Sequence, residues 1–151
     1  MPVSIRYHFS QHFPVSAQQA FDWCTAFDPT DHKLMGNEST QRQITRIADS
    51  TIILKDTFNT PAGKIEKQKL VQLYPNRHTW TSTHLTGPNK HSQFLYEITP
   101  RGKDVSTLNF TALHLEYDEK ADANLLAKRL CKEDAYAWNL LAKAMLEELG
   151  K

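Results

Sequence analysis

Val3, Ile5, Tyr7 and Phe9 alternate with Ser4, Arg6, His8 and Ser10, the period-two pattern of a strand with one buried face. After Phe13-Pro14-Val15-Ser16 the period changes. Ser16 suits a helix N-cap and Val15 suits a staple onto Ala20. The short helix that follows carries Ala20, Phe21, Trp23, Cys24 and Phe27, and is expected to stop at Asp28-Pro29, because the residue before proline avoids the helical region. From Asp28 to Thr40 the chain is polar and irregular, with one helical turn expected around His32–Met35.

Period two then returns and persists. Strands are expected at Gln41–Ala48, Thr51–Phe58, Lys64–Tyr74, Arg77–Leu85, Lys90–Thr99 and Lys103–Tyr117, separated by short Gly, Pro and Asn turns. Turns this short force neighbours in sequence to pair antiparallel, so the sheet is a meander. Trp80, Ser82 and His84 oppose a row of threonines at 79, 81 and 83. Phe94, Tyr96 and Ile98 oppose Gln93 and Glu97, and Leu108, Phe110, Ala112 and His114 share another inner face. Ile52, Leu54 and Phe58 share a face with Asp56. The strand over 64–74 is ambiguous, since Ile65, Val71 and Leu73 fall in phase with Lys67 and Lys69.

A sheet wet on one side must cover the other. The segment from about Lys120 to Leu149 is the one element long enough: it has no proline or internal glycine, and Gly150 stands where a C-cap glycine belongs. Asp118, Glu119, Asp122, Glu133 and Asp134 place acid in its N-terminal half, which suits the helix dipole. At 100° per residue its apolar arc collects Leu130, Leu141, Ala127, Met145, Trp138, Cys131, Leu149, Ala142 and Ala135. Asp134 falls inside that arc. A carboxylate there needs a partner in the sheet, a solvated position, or a role as a polar anchor in a cavity.

The length of 151 residues fits one domain with a real core over 1–151. A net charge of +1 gives no global field toward nucleic acid or acidic membranes. The N-terminus lacks a signal-peptide apolar run and no stretch approaches a membrane span, so the cytoplasm is the default expectation. Cys24 and Cys131 are then expected as reduced core residues. Nothing in the pattern fixes the oligomeric state, and a homodimer stays open.

The order of elements resembles the helix-grip fold of the START-like (SRPBCC) superfamily, which includes polyketide cyclases, pollen-allergen-type proteins and lipid-transfer domains. The stretches that carry the resemblance are FPVSAQQAFDWCTAFDP, LVQLYPNRHTW and FLYEITPRGKDVSTLNF. The resemblance implies an α+β fold: a curved seven-stranded antiparallel sheet wrapped around a long C-terminal helix, with a short helical insert after strand one. It also implies a cavity between sheet and helix. No catalytic residue set is common to that superfamily, so only the position of the cavity carries over.

The residues expected to line or orient a ligand there are Phe58, Trp80, Ser82, His84, Phe94, Tyr96, Phe110, His114, Asp134, Trp138, Leu141 and Met145. Aromatic and methionine walls suit a small hydrophobic molecule. Three readings follow: a binding protein for a lipid, aromatic or polyketide-like molecule; a cyclase or dehydratase using His84, Tyr96 or Asp134, with His84 and Asp134 as one conceivable acid–base pair; and a co-chaperone-like interaction module with a solid core. A cavity of roughly 300 Å³ or more favours the first. No cofactor is implied. His8 and His12, and the group Asp28, Asp31 and His32, lack zinc spacing, and no phosphate loop is present. Lys67, Lys69, Lys90, Arg101 and Lys103 read as scattered solvating charge.

Overall fold

The computed structural model describes residues 1–28 and 40–150. Seven strands form one antiparallel sheet: β1 (Val3–Phe13), β2 (Thr40–Ala48), β3 (Thr51–Thr60), β4 (Gly63–Tyr74), β5 (Thr79–His84), β6 (Gln93–Pro100) and β7 (Ser106–Glu116). Two helices accompany them, α1 (Ala17–Cys24) and α2 (Ala123–Leu149). The helical turn expected at His32–Met35 lies outside the described residues.

The strands are ordered β1-β7-β6-β5-β4-β3-β2, so the meander from β2 to β7 is completed by β1 pairing with β7. That last ladder runs unbroken from Val3 opposite Glu116 to Phe13 opposite Ser106. The β3–β4 turn closes through Gly63 at φ 121°, a conformation that costs other residues a clash at Cβ. Gly87, at φ 102°, is required twice over, since a Cβ there would sit 3.1 Å from Lys67 Cγ.

Strand boundaries depart from expectation mostly at the ends. β5 is shorter than Arg77–Leu85, because Pro75–Arg77 forms a 3₁₀ turn whose missing proline donor suits its first position. β6 and β7 start later than Lys90 and Lys103, since the residues before them close hydrogen-bonded turns: Ser92 N–H reaches Asn89 O, and Arg101 N–H reaches Val105 O.

α1 starts where the sequence places it. Gln19 N–H donates to Ser16 Oγ at 3.2 Å and Ser16 N–H to Gln19 Oε1 at 3.3 Å, a complete capping box. The helix ends at Cys24, three residues before the expected stop. Thr25 turns its hydroxyl back onto Phe21 O at 2.7 Å, and Phe27 takes the left-handed backbone at φ 51°. Phe27 is nevertheless buried.

α2 begins at Ala123 rather than Lys120. Asp122 is its N-cap, accepting from Asn124 and Leu125 N–H at 3.0 and 3.1 Å, so Asp118 and Glu119 precede the helix instead of loading its first turn. Gly150 does occupy the C-cap, at φ −82°, and a Cβ there would sit 2.6 Å from Leu146 O. The apolar arc faces the sheet: Leu141, Ala142 and Met145 are buried, and Ala127, Leu130, Cys131, Trp138 and Leu149 are partly buried against the core. Phe13, Ile5, Leu108, Ile52 and Met145 are among the fully buried side chains of the core. Both cysteines are free thiols. No described helix is long and apolar enough to cross a membrane, and no group of three or more metal-ligating side chains occurs among the described residues.

Candidate functional site

Beside Ala137, Trp138 and Leu141 of α2 a cavity of about 380 Å³ remains between helix and sheet. Its floor comes from strand alternation. Trp80 and Ser82 of β5 and Tyr96 of β6 point the same way, and Trp80 stands directly opposite Tyr96 in the ladder. Their rings stack at 4.7 Å with planes 4° apart. The indole of Trp138, from α2, tilts over this pair, 5.8 Å from Tyr96 and 6.5 Å from Trp80. Ala137 and Leu141 complete the helix side. Leu54 and Phe58 of β3, Val71 of β4, and Cys24 and Phe27 after α1 close the apolar walls.

One wall is charged. Arg42 stands opposite Asp56 in the β2–β3 ladder and grips it with two bonds, Nε to Oδ1 at 2.8 Å and Nη2 to Oδ2 at 3.1 Å. Asp56 is fully buried. Lys69 Nζ lies 3.4 Å from the same Oδ2 and borders the cavity. Burial pushes the Lys69 ammonium below the ordinary lysine range and neighbouring Arg42 adds to this, while Asp56 opposes both. Loss of one partner from a buried ion cluster typically costs about 3–5 kcal/mol.

Of the twelve residues expected from the sequence, Phe58, Trp80, Ser82, Tyr96, Trp138 and Leu141 line this cavity. The other six stand elsewhere. Met145 is fully buried in the core, and Phe110 is packed among Phe9, Phe94, Tyr96 and Tyr7 at 4.8–6.1 Å. His84 rests on Phe94 at 5.0 Å, and its Nδ1 is buried without a hydrogen bond. His114 Nε2 faces Asn89 Nδ2 at 3.2 Å and Glu116 at 3.5 Å.

Asp134 resolves its anomalous place in the apolar arc by accepting from the Tyr7 hydroxyl at 2.5 Å, a bond from α2 to β1. Burial raises its carboxyl above the usual range, against the pull of Tyr7. This corrects the pairing of His84 with Asp134: Asp134 is bonded to a tyrosine, and His84 Nδ1 makes no hydrogen bond among the described residues.

Sequence reasoning missed Arg42, Lys69, Cys24, Phe27, Leu54, Val71 and Ala137 as lining residues. It also misread Lys67 and Lys69 as solvating charge. Both stand on the inner face of β4, half-buried, with Lys67 Nζ over the Phe58 ring at 5.2 Å and Lys69 beside Asp56. The available signal was the phase of Lys67 and Lys69 with Val71, and of Asp56 with Leu54.

No family model and no curated protein matches the chain. Solved structures do. The START superfamily protein of Mycobacterium smegmatis superposes with a TM-score of 0.73 at 13% identity, over 94% of this chain and 97% of that one. The Zhui aromatase/cyclase of Streptomyces sp. R1128 gives 0.70 at 11%, over 97% and 93%. Norcoclaurine synthase of Thalictrum flavum, crystallised with dopamine and hydroxybenzaldehyde, gives 0.70 at 15%, over 99% and 91%. At such identities the likeness is one of architecture. Sheet order, the short helix after β1 and the long terminal helix together make this a helix-grip fold, shared with those structures.

Proposed function

We propose that the protein binds a small, mainly apolar molecule in the cavity between the sheet and α2. The observation that carries this reading is the space of about 380 Å³ walled by the Trp80–Tyr96 stack and Trp138, with polar groups confined to a few positions. A volume above about 300 Å³ with aromatic walls belongs to the range of small-molecule sites, and a solid core would have favoured an interaction module instead. One structure of the same fold was crystallised with small aromatic molecules, which supports the reading. Tyr96 adds a polar handle. Burial and the charge of Asp134 hold its phenol protonated, and among the described residues it makes no hydrogen bond, so it is available to donate to a ligand. The cyclase or dehydratase reading asks for His84, Tyr96 or Asp134 at the cavity, and of these Tyr96 lines it.

Titration with the neutral dye N-phenyl-1-naphthylamine tests the proposal. Saturable one-site binding with quenching of tryptophan emission is expected, because Trp80 and Trp138 border the space. Ser82→Phe, which inserts a ring from β5, should abolish it with the circular dichroism spectrum retained. Absence of saturable binding to the wild-type protein, together with no co-purifying molecule by mass spectrometry, would overturn the reading.

A further inference from the structure

The floor of the cavity carries hydroxyls that nothing among the described residues satisfies. His84 Nδ1 is the one described side-chain nitrogen or oxygen that is both sealed and without a hydrogen bond. The hydroxyls of Ser82 and Tyr96 make no hydrogen bond either, yet they are not sealed, so each keeps open surface. Ser82 is only 6% exposed and lines the cavity, which is the space its hydroxyl opens on. Trp80, fully buried under the same space, has no partner for its indole N–H. Polar groups in an apolar enclosure ordinarily find partners, because they have given up the hydrogen bonds that water supplied. Register brings these groups together. Trp80 faces Tyr96 and Ser82 faces Phe94 in the β5–β6 ladder, so Ser82 and Tyr96 are diagonal neighbours on one face. Their chemistry says what is missing. An indole N–H only donates, and a serine hydroxyl does either. A phenol donates better than it accepts, since its oxygen shares a lone pair with the ring. The absent partner is an acceptor.

From this we infer that the ligand is a conjugated carbonyl compound, such as an aryl ketone, ester or quinone, whose oxygen accepts from the Tyr96 hydroxyl with Ser82 beside it as a second donor. The inference rests on the binding reading above and adds the ligand's polar group to it. A carbonyl oxygen suits the place because its two lone pairs lie in the plane of its substituents and can take two donors at once. Conjugation keeps that plane continuous with an aromatic body, which meets the rings of Trp80, Tyr96 and Trp138.

Two probes of nearly one shape separate the oxygen from the body that carries it. 2-Acetylnaphthalene and 2-isopropenylnaphthalene differ in having C=O or C=CH₂ at the same place. In isotope-difference infrared spectra, the stretching band of the ketone bound to the wild-type protein is expected below its position in dry hexane, the mark of an accepted hydrogen bond. In Tyr96→Phe it should move back toward that position. Affinity is read as the ratio of ketone to alkene, so that packing lost by a variant, which weakens both, cancels. Tyr96→Phe should lower this ratio about fivefold or more, and Ser82→Ala about twofold. If Tyr96→Phe fails to fold by circular dichroism, the wild-type band and the Ser82→Ala ratio decide. A wild-type band at the hexane position, a band or ratio unmoved by Tyr96→Phe, or a ketone that fails to bind where N-phenyl-1-naphthylamine saturates, would overturn the carbonyl site while leaving the binding cavity in place. With Tyr96→Phe unfolded, a ratio unmoved by Ser82→Ala does the same. Failure of all three probes to bind the wild-type protein would bring down the cavity reading, and the carbonyl site with it.

Discussion

His84 is an imidazole that the fold keeps neutral. Burial, followed by the charges of Lys69 and Lys67, lowers its pKa to about 3. In the unfolded chain it protonates near 6.5, so below that pH the unfolded state takes up a proton the folded state refuses. The sign is therefore loss of stability as pH falls from about 6.5 toward 3, at up to about 1.4 kcal/mol per pH unit from this group. His84→Gln should flatten that part of the profile, measured by urea unfolding between pH 4 and pH 7; parallel slopes for both proteins would refute it. The same neighbourhood explains what was hard to read in the sequence. A lysine on a strand is ordinarily solvated. Lys67 and Lys69 face inward only because Asp56 and Phe58 stand on the neighbouring strand to receive them, and that depends on a register the sequence does not state.

At the level of elements, what was legible followed from local chemistry. Ser16 with Gln19 makes a capping box from four consecutive residues, and it forms as expected. Ser16→Ala should cost about 1 kcal/mol, seen as a fall in Tm of about 2–4 °C. An unchanged Tm would mean that burial of Ala20 and Phe21 alone fixes the helix start. The end of α1 was not legible, because Phe27 is apolar and in helical phase. What stops the helix is the Thr25 hydroxyl on Phe21 O and a left-handed turn at Phe27 that returns the ring to the cavity wall. α2 shows the converse. Asp134 looked misplaced on an apolar arc; a partner in the sheet was one expected resolution, and His84 the one residue named for it. Tyr7 was not named, because both residues were assigned to faces without a known distance between them.

At the scale of the whole molecule, the order of elements sufficed for the fold, since short turns leave an antiparallel meander few alternatives and one long helix must cover it. The volume left between the layers was not legible, because it depends on how far α2 stands off the sheet. Leu141, Ala142 and Met145 anchor that helix at its C-terminal end, whereas Leu125 and Tyr136 are each 66% exposed and no residue between Ala123 and the anchor is fully buried. The rod is held most tightly at that end, while Ala127, Leu130 and Cys131 are only partly buried against the core and Asp134 is tied to Tyr7. Its amides should exchange with deuterium in order, those around Leu125 to Arg129 within the fastest class and those around Leu141 to Met145 within the slowest. Uniform protection along the rod would contradict this. The cavity wall at Ala137, Trp138 and Leu141 then borders the slowly exchanging part of the rod, which gives the chamber one rigid side.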